Sequence, residues 1–481
     1  MIRHALLNRE RWDRAAVIRG GESTTYAELA YRAASIGARL NLRIGAHVAV
    51  LLPNSADFLA GLYGIIMAGL TAFPMNGTLT CHEASAMLTQ ADVEAVITDR
   101  SYAPLFAEAA VRCEVIYVED VPPLDRDEIP SAPVVDPASP MILLATSGTT
   151  GKAKIVTLSE RNIESCVTDY LEKMPHASIA GDIRYILGLP FSTAYGIWML
   201  STIITAGFTL VLTTERFTLD TFFRAIERYK VTNYEGGAVP VTLMAQNIGR
   251  PTRYDLSSLR FCAFGGSGVS REALLDLTHA YPWIEFWMGY GMTEASPLIT
   301  EARGHFPEEK IGSVGVAARD MELWIESGGI RTQAPFVQGE VVVKAPSVML
   351  GYYKNEAETA KIIRDGWLHT GDAGYLDEDG YLYLCGRIKN IILVRGLTVY
   401  PEEIEACILD SGLARDCVVY GKPDGFGSEK VYSDVVPQHQ SVTAEAIRAW
   451  CASRLADYKR PHQVSLTAAV RKTVTGKTVR V

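Results

Sequence analysis

Short charge-free runs alternate with helical patterns along the first 120 or so residues, and this alternation restricts the fold more than any other feature of the chain. Residues 24–40, TTYAELAYRAASIGARL, space their apolar positions at the helical period behind a threonine start, and HVAVLLP, His47 to Pro53, reads as a buried strand. EAVITD and CEVIYVED add further short strands. Strands alternating with helices are the pattern of a layered α/β domain with a parallel sheet. FLAGLYGIIMAGLTAF, Phe58 to Phe73, carries no charge and invites comparison with a membrane span. It falls short of the roughly 20 apolar residues that a bilayer requires and stops at Pro74, so the expectation is a buried helix feeding a strand, and no membrane span.

Length asks for more than one unit, because 481 residues exceed the roughly 100 to 200 of a usual domain. Val121 to Pro140 holds six prolines and four acids, the composition of a loop, and delivers the chain into MILLATSGTTGKAK. Strand and helix signals resume from about Tyr185 to Ile299, and from about Leu323 the texture becomes strand-like and turn-rich, as in a β subdomain. After GRIKN, Gly386 to Asn390, comes a compact α+β unit of about 90 residues. The expected division is a large N-terminal layered α/β domain with its β subdomain over residues 1–388, and a small C-terminal α+β domain over 389–481.

A net charge of -9 argues against a basic groove, so no nucleic-acid partner is expected. The eight cysteines show no CxxC pair and no zinc spacing, and read as reduced, mostly buried thiols. MIRHALLNRERWDRAA is charged too early for a signal peptide, which makes the cytoplasm the expected compartment.

The stretch ATSGTTGKAKIV, Ala145 to Val156, crowds hydroxyls, glycines and lysines behind an apolar run. It is no Walker loop, since Thr146 stands where GxxxxGK[ST] needs glycine and Ala153 follows Lys152 where a hydroxyl should bind magnesium. The C-terminal GKT, Gly476 to Thr478, also fails, because Arg471 replaces the glycine and no helix follows. Glycine-rich backbone can still converge N–H groups and the hydroxyls of Thr146, Ser147, Thr149 and Thr150 on an anion. In GYGMTEAS, Gly289 to Ser296, Tyr290 offers a face for a purine, Thr293 a hydroxyl for a phosphate and Glu294 a hard carboxylate for magnesium. FGGSGVS, Phe264 to Ser270, follows the strand LRFCAF with a glycine pair.

Together with GWLHTGDAGYLDEDGYLYLCGRIKNIILVRGLTVYPEEIE, Gly366 to Glu405, and the tail VRKTVTGKTVRV, these stretches occur in the order of the adenylate-forming enzymes. The chain resembles that superfamily of acyl-CoA synthetases, peptide-synthetase adenylation domains and beetle luciferases over nearly its whole length, and most of all a stand-alone acyl- or aryl-acid ligase. TSGTTGKAK resembles the family's TSGTTGxPKG, with Ala153 and Ile155 in place of the usual Pro and Gly.

The resemblance implies an ATP and AMP grip of Thr146, Ser147, Gly148, Thr149, Thr150 and Gly151, of Gly265, Gly266 and Ser267 against adenine, and of Tyr290 and Gly291. It places Asp372 on the ribose hydroxyls and Arg387 on ribose and phosphate, roles suited to a carboxylate acceptor and a guanidinium fork. Thr293, Lys154, Glu294 with Mg2+, and a mobile Lys477 would serve catalysis, and Lys389 would be the hinge about which the C-terminal domain rotates. The implied reaction is ATP-dependent activation of a carboxylic acid to an acyl-adenylate with release of pyrophosphate, then transfer to a thiol. CoA and the phosphopantetheine of an acyl or peptidyl carrier protein present the same thiol arm, and both remain open. So does a luciferase-like oxygenase, which shares these motifs.

The acid pocket is implied near LPFSTAYG, where Thr193 stands in place of a histidine common in relatives. Thr193, Tyr195, Trp198, Gly236, Gly237 and Ala238 are its candidate lining. Pro190 to Ile197 contains no Asp, Glu or His, which disfavours an α-amino acid, because a buried ammonium without a counter-charge is costly. An apolar or aryl acid would suit such walls.

Overall fold

The computed structural model describes residues 1–108, 113–124, 129, 132–146, 154–174, 181–249, 253–265, 269–302, 307–394, 397–423 and 429–472. The chain divides into two compact units, Met1–Glu322 with Lys344–Leu368, and Leu323–Val343 with His369–Val481.

The first unit carries two sheets. In one, the parallel strands Pro140–Thr146, Thr71–Pro74, His47–Leu51, Val93–Thr98 and Glu114–Tyr117 lie side by side, and Lys154–Ser159 and then Gly351–Tyr352 extend the Pro140 edge antiparallel. The charge-free run forms the helix Ala56–Met67, buried nearly all round, followed directly by the strand Thr71–Pro74. Such a helix is apolar on every face because it packs inside the protein. Among the described residues no helix is long and apolar enough to cross a membrane. The helix Tyr26–Arg39 starts at the expected threonine: Thr25 and Glu28 form a capping box that satisfies backbone N–H groups at its first turn.

In the other sheet the order is Val316–Ala317, Leu298–Ala302, Glu285–Gly291, Phe261–Gly265, Asn233–Gly237, Arg184–Gly188, Thr209–Leu212, Ala15–Arg19 and Glu22–Thr25. Its centre is parallel and its outer strands are antiparallel. Phe222, Ile226, Tyr234, Val241, Met244 and Phe264 fill one face of it with a continuous core.

The second unit holds the turn-rich β subdomain, with Ile330–Thr332, Glu322–Ser327, Gly339–Lys344, Trp367–Leu376 and Leu382–Arg387 in that spatial order. It continues into a lobe where Ala414–Pro423, Glu429–Pro437 and Gln463–Leu466 form a sheet packed by the helices Pro401–Leu409 and Ala444–Arg454. None of the eight cysteines is in a disulfide; Cys166, Cys262, Cys417 and Cys451 are buried and the other four half-buried.

Candidate active site

Parallel strands end on one side of a sheet, and in open α/β folds ligands bind beyond those carboxyl ends. Here the ends are built of glycine. Gly188 is in register with Gly236, and Gly237 with Gly265 and then Gly289, on four neighbouring strands. Gly291 closes the last strand, where a Cβ would sit 1.6 Å from the carbonyl oxygen of Pro297, so no larger residue fits the chain's path there. Tyr290, half-buried, precedes it and pairs with Thr300.

Thr293 opens the short turn Thr293–Ala295 that presents Glu294. The Glu294 carboxylate is buried, and its Oε1 accepts a 2.7 Å hydrogen bond from the Tyr352 hydroxyl. Tyr352 reaches it from the edge strand Gly351–Tyr352, which is anchored on Val156 and Thr157, and its backbone N–H donates to Thr359. Burial, and then the adjacent Glu294, push the Tyr352 hydroxyl well above its ordinary pKa, so it remains a donor. On the Tyr352 ring face sits the Lys154 ammonium, 5.0 Å from the centroid and 2.5 Å from Glu358. Lys154 holds Glu358 down to about 2. Thr146 faces Lys154 in register across the antiparallel pair, its hydroxyl donating to the Lys154 carbonyl. Thus Lys154, expected to serve catalysis, is ion-paired and stacked in this structure, and through Tyr352 it adjoins the carboxylate assigned to magnesium. That carboxylate is a hard oxygen donor on a short, braced turn and fits such an ion.

In the second unit Asp372 and Arg387 stand directly opposite one another on Trp367–Leu376 and Leu382–Arg387, and Arg387 Nε lies 2.6 Å from Asp372 Oδ1. Asp372 is buried and Arg387 half-buried. The strand just before Asp372 is braced by Glu340, which accepts from the Gly371 N–H at 3.0 Å and contacts His369 Nδ1 at 2.9 Å. Within that strand Gly371 takes a left-handed backbone, φ +71°, which glycine adopts without steric cost. Lys389 is exposed in the turn Ile388–Asn390, immediately after Arg387.

The expected acid-pocket residues have different surroundings. Thr193 is the N-cap of the helix Ala194–Ala206; its hydroxyl accepts from the Gly196 N–H and donates to the Pro190 carbonyl, which accounts for a threonine there. Ala238 lies in the apolar core with Val241 and Met244, and a Cβ on Gly236 would strike the Tyr234 hydroxyl at 2.5 Å. Gly237 alone of these glycines opens onto space, with nothing within 4 Å of a Cβ. Tyr195 and Trp198 stack at 5.6 Å. The sequence offered no carboxylate beside Tyr195, but the structure supplies Glu235 from the strand Asn233–Gly237, 2% exposed, accepting from Tyr195 at 2.6 Å and from Tyr170 at 2.7 Å. The only local signal was a lone Glu in VTNYEGG, inside an otherwise uncharged strand.

Ser147, Gly148, Thr149, Thr150, Gly151, Gly266, Ser267 and Lys477 lie outside the described residues.

Residues 4–353 match the family model described as AMP-binding enzyme, and residues 403–477 match its C-terminal domain. The chain is 33% identical to a feruloyl-CoA synthase of a Streptomyces species, over 97% of this chain and 94% of that protein. It is 29% identical to a long-chain-fatty-acid–CoA ligase of Bacillus subtilis, over 97% and 91%. Among solved structures, an O-succinylbenzoate coenzyme A synthetase from Bacillus subtilis in complex with ATP and magnesium superposes with a TM-score of 0.85 at 26% identity, covering 99% of this chain and 98% of that one. With its two-domain match spanning nearly the whole chain, the protein belongs to the AMP-binding family of adenylate-forming enzymes, and is an AMP-forming ligase of the acyl- and aryl-CoA type.

Proposed function

We propose that the chain activates a small carboxylic acid with ATP and passes the acyl group to the thiol of CoA. A carboxylate oxygen attacks the α-phosphorus, forming the acyl-adenylate as the bond to pyrophosphate breaks. The CoA sulfur then attacks the acyl carbon, giving up its proton, and AMP leaves. The observation that carries this reading is Glu294, a buried carboxylate held by Tyr352 next to strands that end in glycine.

Bound on Glu294, magnesium would neutralise charge building on the phosphates, the kind of preorganised electrostatic help that commonly dominates catalysis. Thr293, Thr146 and the hydroxyls of Ser147, Thr149 and Thr150 would donate to phosphate oxygens, with Gly148 and Gly151 letting the backbone approach. Gly265, Gly266, Ser267, Tyr290 and Gly291 would take the adenine, and Asp372 and Arg387 the ribose and phosphate. Lys477 would supply a cation during adenylation, while Lys154 braces Tyr352. A pivot at Lys389, between residues 1–388 and 389–481, would replace Lys477 with the thiol for the second half-reaction.

CoA is favoured over a carrier protein because the relatives named above are CoA ligases. Pyrophosphate release should be measured over a panel of acids, with CoA or a holo carrier protein added. Turnover with CoA supports the proposal. Turnover with the carrier alone would reassign the acceptor.

A further inference from the structure

Alternate residues of a strand share a face, so Glu235 and Gly237 lie on one face of Asn233–Gly237, one layer apart, or roughly 7 Å. Gly237, Gly265 and Gly289 form the upper layer, and Glu235, Ala263 and Trp287 are in register below it. The upper layer is open at Gly237, and Tyr195 walls it, 3.6 Å from where a Cβ on Gly265 would stand. The lower layer is shut. Tyr170 and Tyr195 both donate to Glu235, Tyr170 also meets the Tyr185 hydroxyl at 3.1 Å, and Trp198 packs against both phenol rings. The Trp198 indole N–H is itself buried without a partner.

On the reading that this end of the sheet receives the acid, we propose that Glu235, acting with Tyr195, determines which acid is accepted. The network gives the pocket a polar floor one layer down. Space lies above it at Gly237, while a long alkyl chain would have to displace it and would bury the carboxylate against methylene groups. A phenol that spends its proton on Glu235 can only accept elsewhere, so the far end of the acid is matched when it carries a hydroxyl or amino donor. The class assigned is therefore a short aryl acid with a distal hydrogen-bond donor.

The test compares kcat/KM for pyrophosphate release with 4-hydroxybenzoate, 4-aminobenzoate, their chain-extended acrylic analogues, the unsubstituted parent acids, octanoate and palmitate. The expected result is a preference of roughly 10- to 100-fold for a donor-bearing acid over its parent, the worth of one hydrogen bond to a charged network. Tyr195→Phe and Glu235→Gln, checked for unchanged melting, should shrink that ratio to within about threefold. Equal wild-type values for substituted and parent acids, or palmitate as the best substrate, overturn the proposal while leaving the ligase reading intact. Retention of the full ratio in both variants also overturns it. No pyrophosphate from any acid overturns both.

Discussion

The Tyr352 hydroxyl donates to Glu294 Oε1 at 2.7 Å, joining the edge strand of one sheet to a turn at the strand ends of the other. Neither residue has its role alone. Glu294 offers a carboxylate, and Tyr352 fixes where that carboxylate points.

Removing that donor should loosen the site for magnesium. Tyr352→Phe is expected to lower kcat for adenylation by about 10-fold, the value of one hydrogen bond to a charged group, and to raise the magnesium concentration needed for half-maximal rate. Glu294→Gln should cost about 100- to 1,000-fold in kcat, in line with the loss of one preorganised electrostatic group. Pyrophosphate release against magnesium concentration checks both.

The ion pair of Lys154 and Glu358 has a pH signature. Glu358 titrates at about 2 in the folded chain against an ordinary 4.5, chiefly because Lys154 bonds to it. A depressed carboxylate stabilises the fold above the unfolded pKa and stops doing so as pH falls through the folded one. The difference in melting temperature between the wild type and Lys154→Met should therefore be constant from pH 7 to about 5 and close between about 4.5 and 2. A carboxylate NMR titration should show Glu358 returning toward its ordinary value in Lys154→Met.

The pair Asp372–Arg387 should behave as a unit. Arg387→Ala strips the cation from a buried carboxylate and should raise KM for ATP more than about 10-fold. Arg387→Lys should rescue little, since an ammonium cannot reproduce the planar fork that spans Asp372 and the Thr370 carbonyl. If the acid's KM moved instead of that for ATP, the pair would belong to a different subsite.

Gly386 is favoured by its backbone, and a side chain there would also have to push Glu402 aside. Its φ is +136°, and a Cβ there would meet Glu402 Oε2 at 2.1 Å. Gly386→Ala should destabilise by about 1–3 kcal/mol. Adding Glu402→Ala should relieve the clash and leave the backbone strain, so recovery in denaturant melts should be partial.

Much of this was legible in the sequence where the chemistry is contiguous. GYGMTEAS offers Tyr290, Thr293 and Glu294 within five residues, and the fold sets Tyr290 near a strand end and Thr293 and Glu294 on the short turn that follows it. TGD and GR are read as separate ligands, and the hairpin register sets them opposite each other. What the sequence could not display are partners brought in by sheet order. Tyr352 is 58 residues from Glu294, Glu235 is 40 from Tyr195, and Glu358 joins Lys154 from beyond the second sheet in sequence. Parallel strands need long crossovers, so neighbours in space are remote in the chain. Thr193 shows the converse: it reads as a pocket residue by position, while its hydroxyl caps a helix.

The most direct measurement is the product balance of one enzyme preparation given ATP, magnesium and its best acid, first without and then with CoA. An acid-dependent burst of about one pyrophosphate per active site is expected without CoA, then steady turnover with CoA, yielding equal amounts of AMP, pyrophosphate and thioester. ADP and phosphate as the products, or pyrophosphate release indifferent to the acid, would contradict an adenylate-forming reaction.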